Sequence, residues 1–305
     1  MNRKANKREG LFLRGAEAWQ RISGDQRALY VCPICTRGFT FGAVAAGVLS
    51  LEHAPPRALG GKALALTCKD CNSRAGHTVD AASNALDHLV ALSEAMSPTG
   101  RKITGTGKLQ LLELPSINVA YVVERGNVQF NVLRPRNNPA SFERHLAAVN
   151  EALKGGTTRD FRYKFTPNTR FHPRRALVGH LRAAYLALFA GFGYRYALSR
   201  QLDVVRDQLK RYNEQLIEHA WIRRDEKGRQ PPIIFGLSEP VRAFAVVLPR
   251  MTVLMPALDG PTDPWSVFAT VGKKTRGRVS LTGLPLGWPA GLVMQYDFQQ
   301  EDNAA

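Results

Sequence analysis

All four cysteines of the chain fall in two Cys-x-x-Cys pairs, Cys32/Cys35 and Cys68/Cys71. A single pair suits redox chemistry, but two pairs joined by a short folded insert offer four thiolates, the set that a tetrahedral Zn²⁺ takes. The competing reading is two disulfides or chance spacing in an unrelated fold. Against it stand the tight Cys-Pro-Ile-Cys and Cys-Lys-Asp-Cys spacings and an N-terminal stretch with no secretory signal. Four sulfurs close the metal's shell, so such a zinc is structural rather than catalytic. Between the pairs stands Glu52-His53, and Asn72 follows Cys71 directly. These are a carboxylate, an imidazole that titrates near neutral pH and an amide.

Short elements must hold these groups in place. The apolar run before Glu52 and the run Leu64 to Leu66 fit two short strands joined by a Pro/Gly-rich loop, and Lys69 onward fits a helix as far as Gly76. The expected product is a ββα unit clamped by zinc. Apolar residues at Val79, Ala82, Leu86, Leu89, Val90 and Leu92 extend it with a helix to Met96. Residues 1–29 read as a basic leader with a short helix around Ala16 to Ile22, residues 30–97 as the cysteine module with its following helix, and residues 98–305 as a second domain. Ser97 to Gly100 and Gly105-Thr106-Gly107 interrupt all periodicity and read as the linker.

Beyond the linker, strands are expected at Leu109 to Leu114, Val119 to Val123, Val128 to Leu133, Phe161 to Phe165, Val241 to Leu248, Val267 to Val271, Val279 to Leu281 and Leu292 to Phe298. Helices are expected at Phe142 to Leu153, Pro173 to Leu188 and Gln201 to Trp221. The class is therefore α+β: a small zinc-bound ββα module followed by a larger basic α+β domain.

The combination Glu-His-x-x-Pro from Glu52, Gly60-Gly61 and Cys68-x-x-Cys71-Asn72 carries a family likeness. Over about residues 30–80 the chain resembles the HNH endonucleases, the ββα-metal nucleases, most closely those whose module is pinned by two Cys-x-x-Cys pairs. The resemblance implies hydrolysis of phosphodiester bonds, with DNA as the natural substrate. His53 would be the general base that takes a proton from water. Glu52 and Asn72 would be hard oxygen ligands of a catalytic Mg²⁺ or Mn²⁺, and Cys32, Cys35, Cys68 and Cys71 the ligands of a structural Zn²⁺. Taken without the family, Glu52 is a strand carboxylate, His53 a turn histidine and Asn72 a helix cap. His77 is either a further ligand or phosphate contact, or a surface histidine. Lys62, Lys69 and Arg74 are candidate contacts to nucleic acid, or a solvated face.

One position departs from the family pattern. Many members carry Asn in the second strand to brace the loop of the catalytic histidine, and here that position is Ala63. Pro55, Pro56 and the Gly60-Gly61 turn are then left to hold the loop. Glu in place of the commoner Asp before His53 reaches one methylene further.

Charge points the same way as the motif. The formal net charge is +17 and the pI about 10.2, so a polyanion is the expected partner, nucleic acid ahead of an acidic membrane surface, the competing reading being that the excess only aids solubility. Lys and Arg outnumber Asp and Glu by 12 to 8 over residues 1–97 and by 30 to 17 over residues 98–305, which assigns most of the electrostatic affinity to the larger part. There, Phe161 to Phe165 and Gly193 to Tyr196 interleave Arg with aromatics, suited to stacking on bases or equally to mixed faces of ordinary elements. A role for that part in gating the nuclease, as in phage or mobile-element defence, rests on analogy with how such modules are deployed. One such site attacks one strand, so a double-strand cut requires a homodimer or two encounters. The longest apolar run, Ala183 to Gly193, is shorter than the ~20 residues that span a bilayer, and a cytoplasmic protein without membrane partners is expected.

Overall fold

A computed structural model of the chain describes residues 3–111, 114–154, 163–169, 171–223, 232–239, 241–274 and 282–289. Helix α1 (Arg3–Ser23) is longer than the short helix expected in the leader, and it ends where Gly24 takes a φ of +68°. Its residues Leu11, Phe12 and Ala16 are buried. Strands β1 (Tyr30–Val31) and β2 (Gly38–Phe39) flank the first cysteine pair, followed by the short α2 (Gly42–Ala45). Next come the antiparallel pair β3 (Leu49–Ala54) and β4 (Lys62–Cys68), then α3 (Lys69–His77) and α4 (Val79–Ala95). The ββα order read from the sequence is thus the order in the fold.

The chain forms two compact units, residues 1–84 with 172–305, and residues 85–171. In the second unit, β5 (Ile103–Leu111), β6 (Ile117–Glu124), β7 (Asn127–Val132), α5 (Pro139–Lys154) and β8 (Tyr163–Pro167) give a four-stranded antiparallel sheet in the order β7-β6-β5-β8. Gly105 and Gly107, expected in a linker, lie inside β5. A Cβ on Gly105 would sit 2.5 Å from the Tyr121 hydroxyl, and one on Gly107 2.4 Å from the Phe165 ring. These glycines make room for aromatic rings from neighbouring strands rather than breaking the chain. The β6–β7 hairpin turns as expected, through Arg125 and Gly126 at φ +51° and +80°.

The rest of the first unit is α6 (Pro173–Ala197), α7 (Asp203–Lys210), β9 (Trp221–Arg223), β10 (Ile233–Leu237), β11 (Ala243–Val247), β12 (Met251–Pro256), α8 (Pro264–Lys274) and β13 (Gly283–Gly287). The strands make an antiparallel sheet in the order β13-β10-β11-β12-β9. Helix α6 is the centre of this unit: its residues from Val178 to Ala190 are all buried, and most of them are apolar. By length and hydropathy it is the one described helix that could cross a bilayer, but 83% of its apolar window is buried inside the protein, as in a core helix. It packs against α1, β3, β4, α7 and β12. Gly179 sets its approach to α4, since a Cβ there would lie 2.0 Å from Ser83 Oγ and 2.5 Å from the Val79 carbonyl.

Two expectations fail for local reasons. The segment Val267 to Val271 is helical, inside α8, because Pro264 opens the helix and the Asp263 carboxylate accepts the Ser266 amide at 3.1 Å. The helix expected from Gln201 to Trp221 stops at Lys210. The Gln208 side chain holds the loop that follows, accepting the amides of Leu216 and Ile217 at 2.9 and 3.2 Å and donating to the carbonyls of Arg211 and Glu214. The strands expected at Val279 to Leu281 and Leu292 to Phe298, and residues 161–162, lie outside the described residues.

Candidate metal centre

Cys32 and Cys35 sit on the turn between β1 and β2, where Thr36 adopts φ +59° and its amide reaches the Cys32 carbonyl at 2.8 Å. Cys68 ends β4 and Cys71 lies in the first turn of α3. The four sulfurs lie within 4.8 Å of one another, and Cys35 Sγ and Cys68 Sγ are 3.7 Å apart. None is in a disulfide. A tetrahedral ion with Zn–S bonds of ~2.3 Å separates its sulfurs by about 3.8 Å, so the cluster fits a metal such as zinc.

The surroundings suit bound thiolates. Arg37 directs Nε to Cys35 Sγ at 3.4 Å and Nη2 to Cys68 Sγ at 3.3 Å, and the Cys68 amide points at Cys32 Sγ at 3.5 Å. Four thiolates around one divalent ion carry a net charge of −2, which the Arg37 guanidinium partly offsets. In the metal-free cluster, hydrogen bonding from Cys32 first lowers Cys68 to about 6, pulls Cys35 far below the ordinary thiol range and raises Cys71, while hydrogen bonding from Cys35 first raises Cys32.

Three tyrosines fasten this centre to the core. The Tyr30 hydroxyl donates to the Leu66 carbonyl at 2.7 Å and accepts the Leu66 amide at 2.9 Å, standing in for a strand neighbour beside β4. Tyr194, from α6, does the same for Val31, at 2.9 and 3.0 Å. Tyr185, also from α6, donates to the Pro33 carbonyl at 2.6 Å.

The remaining sequence candidates separate into two groups. His53 is half-buried near the end of β3 and pairs in register with Ala63, which stands directly across the strand pair from it. The register slips between Glu52 and His53, since Glu52 pairs with Ala65 and Leu64 is the extra residue. Such a bulge re-aims the side chains beside it. The loop after β3 is held as the proline and glycine residues suggested: the Gly61 amide reaches the Pro56 carbonyl at 3.3 Å, and a Cβ on Gly61 would meet the Pro55 oxygen at 1.5 Å. Asn72 is no cap, being the fourth residue of α3. Its amide nitrogen donates to Ser50 Oγ at 2.8 Å and to the Leu51 carbonyl at 3.2 Å, tying α3 to β3. Lys62, Lys69, Arg74 and His77 are exposed on β4 and α3. Arg74 also lines a cleft with Thr78, Lys210 and Tyr212.

Glu52 is placed differently from the other candidates. It is 3% exposed, and both carboxylate oxygens are engaged. Oε1 accepts Arg182 Nη1 at 2.9 Å, while Oε2 accepts Arg182 Nη2 at 2.5 Å and Thr67 Oγ1 at 2.9 Å. Arg182 comes from the middle of α6 and also reaches Asp80 at 3.2 Å. Burial alone would lower the Arg182 pKa, but the Glu52 and Asp80 carboxylates outweigh it and raise it above the ordinary value. Asp80, near the start of α4, is pushed up to about 6, burial outweighing the pull of Arg182. Neither Arg182 nor Asp80 was a candidate from the motif. The available signal was a lone arginine in the apolar run Leu181 to Leu188, where a charge requires a partner.

No family model matches the chain, and neither the curated proteins nor the solved structures contain a match.

Proposed function

We propose that this protein is a metal-dependent endonuclease of the HNH kind that hydrolyses phosphodiester bonds in DNA. The observation that carries the reading is the placement of His53 near the end of β3, in a strand pair joined to α3 by a four-cysteine centre and braced by Asn72. In this reading zinc holds the scaffold and performs no chemistry. His53 takes the proton of the attacking water, and the exposed Lys62, Lys69 and Arg74, with the net charge of +17, attract the phosphate backbone. A Mg²⁺ or Mn²⁺ would neutralise charge on the phosphate. As a donor to that ion Glu52 fits poorly, because it is 3% exposed and already accepts three hydrogen bonds, two of them from the cationic Arg182.

That engagement favours a second reading, a nucleic-acid-binding protein built on a structural zinc module and without cleavage activity. A supercoiled plasmid separates the two. The expected result is nicking with Mg²⁺ or Mn²⁺, reduced by about 100-fold or more in His53→Ala while zinc content is retained. Equal cleavage by wild type and His53→Ala removes His53 as the base. Salt-sensitive binding with no cleavage under any divalent metal supports the second reading.

A further inference from the structure

Glu52 and Arg182 form the most deeply buried ion pair among the described residues, each side chain 4% exposed. The contact is bidentate, and each partner has a second one: Thr67 of β4 for Glu52, and Asp80 of α4 for Arg182. Four elements therefore converge on one carboxylate and one guanidinium: β3, β4, α4 and α6. Paired donors in this fork geometry fix orientation as well as distance. Glu52 immediately precedes His53, at the point where the strand register slips. A cation approaching Glu52 would have to reach a carboxylate that is 3% exposed and already accepts three hydrogen bonds, and it would lie beside the positive charge of Arg182.

We infer that Glu52 and Arg182 are positioning residues: the pair fastens β3 to the core helix and so fixes the strand end that carries His53, and Glu52 is not a ligand of a catalytic cation. The inference rests on the nuclease reading only where cleavage or a catalytic metal is concerned. It makes the stretch of chain that supplies α6 part of the site, since the guanidinium that sets β3 comes from 130 positions further along the sequence.

The test uses the full zinc-loaded chain and the variants Glu52→Gln, Arg182→Met and Arg182→Lys. Mn²⁺ binding is read by the electron paramagnetic resonance of free Mn²⁺. The environment of His53 is read from its ring signals in NMR, assigned by their loss in His53→Ala. In Glu52→Gln, Mn²⁺ affinity is expected to fall by no more than the ~10–100-fold that loss of an outer partner costs, while the His53 signals move. They move further in Arg182→Met and partly return in Arg182→Lys, a rescue that nonspecific loosening would not give. Loss of an outer partner already weakens a metal site by ~10–100-fold, so only a drop well beyond about 100-fold in Glu52→Gln makes Glu52 a ligand and overturns the inference. Unmoved His53 signals in Glu52→Gln overturn it as well, and this nearly isosteric variant decides the matter if Arg182→Met does not fold. A wild-type chain that neither binds Mn²⁺ nor cuts DNA removes the nuclease reading, while the His53 signals still decide the positioning.

Discussion

Replacing Asp80 by Asn should change how stability depends on pH, in a direction that burial sets. Asp80 is 14% exposed, and its carboxyl is raised from 3.8 to about 6 by burial, in spite of Arg182 beside it and with Glu52 adding to the rise. A raised acid contributes stability that is fully present below the unfolded value of 3.8 and is lost as pH rises through about 6. At 1.36 kcal/mol per unit, the full swing is about 3 kcal/mol. Between pH 5 and pH 7.5 the native state should lose about 1.4 kcal/mol from this group, roughly a factor of ten in the folding constant. Asp80→Asn keeps the side-chain shape and an oxygen for Arg182 but cannot ionise. Its stability relative to wild type should therefore rise by that amount over the same interval. Urea unfolding of both proteins at matched zinc measures the difference, in which the pH dependence of the cysteine centre cancels. A difference that is flat across the interval, or one that falls with pH, refutes the assignment of a raised Asp80.

Removing the metal should be far more damaging than any single substitution, because structural zinc contributes ~10–16 kcal/mol in small modules. A chelator at neutral pH is expected to release one zinc per chain together with the circular dichroism of the first unit, and an unchanged melting curve after zinc release contradicts a structural role. Gly61→Ala should destabilise by about 2 kcal/mol or more, since its Cβ meets the Pro55 oxygen at 1.5 Å. Gly60→Ala, at φ +83° with open space around it, should cost only about 1–2 kcal/mol of backbone strain. Chemical denaturation ranks the two, and the reverse order shows that the loop does not need the close approach at Gly61.

The local design of the cysteine module was legible because its signals are local. Two Cys-x-x-Cys pairs, a proline-glycine loop and an apolar run on each side specify a hairpin and a helix regardless of the remainder of the chain, and the α+β class follows from the same kind of pattern. What could not be read depends on partners distant in sequence. Glu52 alone is equally a ligand or an anchor, and only the fold brings Arg182 to it. Gly105 and Gly107 look like breaks until Tyr121 and Phe165 are seen to need the space. Val267 to Val271 has the composition of a strand, and a capping aspartate one turn earlier overrides it. Gln208 stops a helix by bonding amides eight and nine positions ahead, which no periodicity records.

Three contacts from α6 reach back to the cysteine module across 130, 152 and 163 positions: Arg182 to Glu52, Tyr185 to Pro33 and Tyr194 to Val31. Translation at ~5–20 residues per second separates the two ends of the shortest of these by roughly 7–26 s. For most of that interval, from Cys71 onward, the nascent chain already has all its cysteines, while the groups that orient its strands have yet to be made. A cell making this protein therefore carries, on each ribosome, a metal-binding stub whose histidine is not yet set. Fragments ending before α6 are expected to share that unfinished state, so the cysteine module is fully fastened only in a chain that extends at least through Tyr194.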